Sequence, residues 1–161
     1  MASIATLLPG LTLAVLLAGA AQAQSVAVTG ADGASVTLSA ADLAALPRRM
    51  LTLSVHGESH VFEGPTLASV LKDVRAPLGE DLRGQALLTY VTVRAADGYG
   101  VVLSLAEIDP ALSPTAVLLA DEVDGAPIDA EEGPFRLVVE GDARPARSVR
   151  HVTSITVSNA D

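Results

Sequence analysis

The sequence predicts a β-rich α+β fold. Apolar residues alternate with polar ones through many short runs, Gly- and Asp-containing turn signals separate the runs, and only a few short stretches carry a helical period. Half of the 161 residues are apolar, too many for a chain that stays disordered. Two Phe, two Tyr and no Trp are present, so the core has to be built from Val, Leu, Ile and Ala.

Val26-Ala27-Val28 and Ser35-Val36-Thr37-Leu38 flank Asp32-Gly33, which reads as a hairpin. Ser39-Ala40-Ala41-Asp42 resembles a capping box and opens a short helix that Pro47 stops after Leu46. Met50 to Val55 alternates as a strand, Gly57-Glu58 turns, and His60-Val61-Phe62 returns. Pro65-Thr66 opens a second helix, because Leu67, Val70, Leu71 and Val74 share one face of a 3.6-residue period; Pro77 closes it. Residues 78–85 read as a polar loop, and Ala86 to Ala95 as the longest strand. After Asp97-Gly98, Tyr99 to Leu103 pairs back, and Ser104 to Ile108 makes a single helical turn. Val117-Leu118-Leu119-Ala120 is a buried run, and Asp124-Gly125 turns into Pro127-Ile128. Phe135 to Val139 and Val152 to Val157 complete a set of about nine or ten strands with two or three short helices.

The leading residues predict an export signal. Pro9-Gly10 precedes the apolar run Leu11 to Ala21, and Ala21-Gln22-Ala23 is a small-x-small cleavage pattern. No Lys or Arg stands before Arg48, so the segment carries only its α-amino charge. The expectation is a signal peptide over residues 1–23 and one mature domain over 24–161, periplasmic or secreted, with no membrane span after cleavage; an uncleaved anchor is the alternative. With no cysteine anywhere, a lipoprotein anchor, disulfides, thiolate metal ligands and a thiol nucleophile are all excluded. The net charge of -9 repels nucleic acid and anionic membranes alike.

Few residues point to chemistry. Asp97-Gly98-Tyr99-Gly100 reads either as a strand connection, with Tyr99 burying its ring and pairing its hydroxyl, or as the rim of a pocket for a small polar ligand. Arg144, Arg147, Arg150 and His151 form the one basic cluster in an acidic chain, and guanidinium groups suit bidentate binding of phosphate or carboxylate. That cluster, with Arg136 as a weaker member, is the candidate anion site; the competing reading pairs it with Glu140, Asp142 or Glu131-Glu132 at the surface. His56, Glu58 and His60 sit at a hairpin and lack a further ligand pair for a tetrahedral metal, with His151 the one other imidazole in the chain. No nucleophile elbow, phosphate-binding glycine loop or spaced carboxylate pair occurs, so no catalytic residue is assigned.

Three stretches, "ADGYGVVLSLAEI", "AVLLADEVDGAPIDAEEGPFRLVVEG" and "ARSVRHVTSITV", in this order and spacing resemble the oxidoreductase molybdopterin-binding domain, the sulfite oxidase type of fold. Upstream, "FEGPTLASVLKDV" is similar to the family's helix entry. The resemblance implies a sulfite-oxidase-like scaffold over roughly residues 46 to 158, on the scale of a whole domain. It also implies a molybdopterin cofactor whose phosphate lies near basic residues at the chain's ending, here Arg147, Arg150 and His151. Catalytic members place a molybdenum-binding cysteine at the end of a strand, and the corresponding stretch here, Leu53-Ser54-Val55-His56, has none. A hydroxyl or imidazole replaces a soft thiolate poorly. The twin-arginine signal of exported cofactor-loaded proteins is also missing, since Arg48-Arg49 lies far behind the apolar run. The expectation is an exported module without a redox metal that binds a small anionic ligand or a periplasmic protein partner. The alternatives are a molybdopterin oxidoreductase whose metal is held without cysteine, and an interaction domain that offers its sheet edges to a partner strand.

Overall fold

The computed structural model describes residues 24–55 and 57–160. The expected signal peptide, residues 1–23, and the side chain of His56 lie outside the described residues.

Every hairpin read from the sequence forms. β1 (Ser25–Thr29) and β2 (Ser35–Ser39) pair antiparallel across Asp32-Gly33. Ser39 then caps α1 (Ala40–Ala44) with the reciprocal bonds of a capping box: its hydroxyl takes the Asp42 N–H, and the Asp42 carboxylate takes the Ser39 N–H. Those bonds hold the Asp42 carboxyl below its ordinary range, the Ser39 hydroxyl first and the Ser39 backbone second. β3 (Arg48–Val55) and β4 (Glu58–Pro65) form a long hairpin in which Leu51 lies opposite Phe62 and Val55 opposite Glu58.

The second helix is shorter than its period suggests. Thr66 caps α2 (Leu67–Val70), after which the chain tightens into a 3-10 turn over Leu71–Val74. An i, i+3 stripe survives that change of pitch, so Leu67, Val70, Leu71 and Val74 are still all buried. The expected strand from Ala86 is corrected more sharply. Gly84–Leu88 is a 3-10 turn, and β5 runs only from Thr89 to Ala95. Two adjacent leucines give a strand no single apolar face, and Leu87 and Leu88 remain 48% and 49% exposed. β6 (Gly100–Ser104), α3 (Leu105–Ile108), β7 (Val117–Ala120), β8 (Glu122–Val123), β9 (Ala126–Pro127), β10 (Arg136–Val139) and β11 (Val152–Asn159) complete the described elements.

The strands make three layers. One is a five-stranded sheet in the order β2-β1-β11-β5-β6, joined within by a parallel pairing of β1 with β11. A second is a four-stranded sheet in the order β3-β4-β8-β9. Between them lies the antiparallel ribbon of β10 and β7. Val117, Leu119, Leu137 and Val139 face the larger core with the five-stranded sheet and the helices. Leu118, Ala120 and Val138 turn the other way, to Leu51, Leu53, Val55 and Phe62. A ribbon buried on both faces has no polar side, which is why "VLLA" reads as an unbroken apolar run. Gly64 lets β4 approach this ribbon: a Cβ there would stand 2.4 Å from the Leu119 carbonyl oxygen. Among the described residues no helix is long and apolar enough to cross a membrane.

Candidate functional site

The Asp97–Gly100 stretch is the connection between β5 and β6. Gly98 adopts φ 89°, a backbone angle that glycine takes without strain. The Asp97 carboxylate accepts the Tyr99 N–H at 2.8 Å, and the Ala95 N–H donates to the Tyr99 carbonyl at 2.8 Å. The Tyr99 ring is not buried as expected but 50% exposed, while its hydroxyl donates to the Ala146 carbonyl at 2.7 Å. That bond ties the β5–β6 turn to the 3-10 turn Pro145–Arg147, the segment that carries the basic cluster.

Between these two turns lies a cleft of about 470 Å³, lined among others by Asp97, Tyr99, Glu131, Ser148, Arg150 and His151. Four of the sequence candidates thus converge. His151 sits in the left-handed region at φ 48°, held by its N–H donating to the Glu132 carbonyl at 3.2 Å and its carbonyl accepting from Ala96 at 3.0 Å. Its Nε2 lies 2.8 Å from the Glu131 carbonyl oxygen. A carbonyl only accepts, so Nε2 carries the hydrogen and Nδ1 of the neutral ring is the free acceptor.

Two candidates fall elsewhere. Arg147 turns into a neighbouring cleft of about 460 Å³ together with Glu107, Glu140 and Asp142. There it pairs with Asp142 at 2.5 Å and with Glu107 at 2.8 Å. Donation to the Asp142 carboxylate, then to that of Glu107, raises its pKa further above the ordinary arginine value. Arg144 is exposed and lines neither cleft. The basic cluster of the sequence is therefore split where the 3-10 turn Pro145–Arg147 ends: an unbroken turn would stack residues three apart on one side, but the chain leaves it at Ser148, φ -83° and ψ 80°, before it reaches Arg150.

Arg136, weighted lightly in the sequence, does not line the first cleft but is bonded to two residues beside it, Ser148 and Glu132. It is 2% exposed on β10, its guanidinium 4.9 Å above the Phe62 ring. Its Nε donates to the Ser148 hydroxyl at 3.0 Å, which in turn donates to the Leu137 carbonyl at 2.8 Å. Its Nη1 pairs with Oε2 of Glu132, whose Oε1 accepts from Arg150 at 2.9 Å. Burial pulls the Arg136 guanidinium below its ordinary pKa; the Glu132 charge opposes that and the Arg150 charge adds to it. Glu132, which the sequence offers as one of the surface partners of the basic cluster, is thus the shared partner of two arginines. The available signal was a lone arginine inside the apolar run "FRLVV", since a buried cation requires an anion.

The histidine hairpin gives no metal site among the described residues. His60 Nδ1 lies 2.7 Å from Asp124 Oδ2, and Asp124 also accepts the Val61 N–H at 2.8 Å. The His60 bond first, then the Val61 N–H, holds the Asp124 carboxyl below its ordinary range. No group of three or more ligating side chains gathers among the described residues.

The molybdenum centre implied by the resemblance does not fit the side chains present. At the position of the ligating cysteine, Leu53 and Val55 are packed in the core and the hairpin closes directly at Val55–Glu58. The chain holds no thiol, and the soft donor that the metal needs has no counterpart there. The arginine in the candidate cleft is already engaged by Glu132.

The comparisons agree with this scaffold. No curated protein matches the chain in sequence. Among solved structures it is similar to the sulfane dehydrogenase SoxCD from Paracoccus pantotrophus, with a TM-score of 0.66 and 16% identity over 85% of this chain. The match covers 38% of that chain, so this protein spans well under half of its length. Residues 12–161 match the model of the oxidoreductase molybdopterin binding domain, and with its β-rich three-layer fold the chain belongs to that family.

Proposed function

We propose that the chain is an exported, non-catalytic binding or accessory module of its family, holding a small anionic ligand in the cleft beside Tyr99, Ser148, Arg150 and His151. One observation carries the reading: where a catalytic relative would present sulfur to the metal, this chain turns Leu53 and Val55 into its core. What the scaffold retains is a polar cleft of about 470 Å³, floored by the hydrogen-bonded Tyr99–Ala146 clamp and edged by Arg150. Such a site binds by charge and shape and needs no redox step.

Metal analysis of protein isolated from its own host tests the non-catalytic half. Stoichiometric molybdenum with electron-transfer activity would defeat it. Thermal shift with phosphate-bearing compounds tests the binding half. The expected result is stabilisation of the wild type and of Arg147→Ala, and none of Arg150→Ala, because only Arg150 lines this cleft. A compound that stabilises all three equally is not bound there.

A further inference from the structure

Arg49 continues an apolar stripe. Side chains of a strand alternate between its two faces, so Arg49 shares one face of β3 with Leu51, Leu53 and Val55, all buried. Arg48 lies on the other face and takes Glu63, Asp121 and Glu122. Among the described residues Arg49 has no ion pair. It lines instead a pocket of about 220 Å³ with Ala68 of α2, Ile108 of α3, Val117 of β7 and the adjoining Ala116. Arg49 is exposed and those four are buried, so the cation stands at the mouth and the apolar walls lie within. The loop between α3 and β7, which closes the pocket, is pinned at three points. The Asp109 carboxylate accepts the Ala111 N–H at 2.8 Å, the Ser113 hydroxyl accepts the Thr115 N–H at 3.2 Å, and the Glu140 carboxylate accepts the Ala116 N–H at 2.8 Å. Arg49 is about 20 Å along β3 from Val55, the place of the family's ligating cysteine, and no residue of the Tyr99 cleft lines this pocket.

We infer that this pocket binds a short-chain aliphatic carboxylate, with the carboxylate on Arg49 and the chain against Ala68, Ile108 and Val117. The inference is independent of the anion cleft proposed above. A guanidinium fork suits a planar carboxylate. Arg49 is the one cation in the wall, so it is matched by a single negative charge. The buried apolar walls disfavour a ligand that is polar throughout and reward one that brings methylene groups out of water. At about 30 Å³ of liquid volume per water, the cavity has room for about seven waters, the space of an acid of about four or five carbons.

The test is titration of the isotopically labelled protein with sodium butyrate at constant ionic strength, followed through backbone amide NMR shifts, for wild type, Arg49→Ala and Arg150→Ala. The expected result is one butyrate per chain, bound saturably, with shifts at the amides of Ala68, Ala116 and Val117. Binding should weaken at least about tenfold in Arg49→Ala, as loss of a hydrogen bond to a charged group implies, and stay unchanged in Arg150→Ala. Arg49 is exposed, so its replacement should leave the fold intact; if Arg49→Ala does not fold, Arg49→Gln carries the same expectation. Equal affinity in wild type and the Arg49 variant overturns the site, and so does the absence of saturable shifts. Butan-1-ol bound as tightly as butyrate overturns the carboxylate, and octanoate bound more tightly than butyrate overturns the short chain. Butyrate binding lost in Arg150→Ala but kept in Arg49→Ala overturns this pocket and supports the Tyr99 cleft.

Discussion

At the scale of single residues, charges in this molecule are settled in small closed groups. Arg48 bonds Glu63 at 2.9 Å, Asp121 at 2.7 Å and Glu122 at 3.1 Å. Arg147 bonds Glu107 and Asp142, and Arg136 and Arg150 share Glu132. Glu107 serves twice, since its carboxylate also accepts the Ser104 N–H at 2.9 Å in the capping box of α3. Partial burial pushes its pKa up, but the bonds from Arg147 and from the Ser104 backbone and hydroxyl outweigh it, so the carboxyl titrates below its ordinary 4.5. A depressed carboxyl stabilises the fold above that value and ceases to do so as pH falls through its folded-state pKa. Glu107→Gln retains a capping side chain and removes only the charge. Its urea midpoint at neutral pH should correspond to a loss of about 0.5–1 kcal/mol, with a flatter decline below pH 4.5 than wild type. An unchanged acid limb would show that the pair contributes nothing.

At the scale of elements, close approach decides more than propensity. β4 touches the central ribbon only because position 64 has no side chain; a Cβ would meet Leu119 O at 2.4 Å and Ala120 Cα at 2.7 Å. Both obstacles are backbone, so no rotamer change relieves them. Gly64→Ala should therefore cost about 2–3 kcal/mol by chemical denaturation, in the range of overpacked cores. A loss below a few tenths would mean that the hairpin slides freely on the ribbon. The same element-level view explains where the pattern reading failed. Leu87 and Leu88 were placed on a strand by hydrophobicity, yet the 3-10 turn that starts at Gly84, φ 58°, leaves them outside. Ser104 to Ile108 was legible, because the capping serine and its acid lie only three residues apart in the chain.

At the scale of the whole molecule, the two ends of the described chain meet: β1 lies parallel to β11, with Val28 beside Ile155. Gln24 already takes part, its carbonyl accepting the Ala40 N–H at 3.0 Å. A cut after Ala23 would thus leave every described strand intact. For the proposed export, intact mass of the protein recovered from the periplasmic fraction should correspond to a chain starting at Gln24. Recovery with residues 1–23 attached would reject cleavage there.

The order of hairpins, the capped helices, the buried "VLLA" run and the absence of any thiol followed from the sequence, because each depends on neighbours in the chain or on composition alone. The sharing of Glu132 between Arg136 and Arg150, and the separation of Arg147 into another cleft, belonged to the tertiary structure. Glu132 and Arg150 come together only when the loop before β10 folds against the segment before β11. Charge pairing acts through space over a few ångströms, and no local pattern records which distant carboxylate will reach a given arginine first.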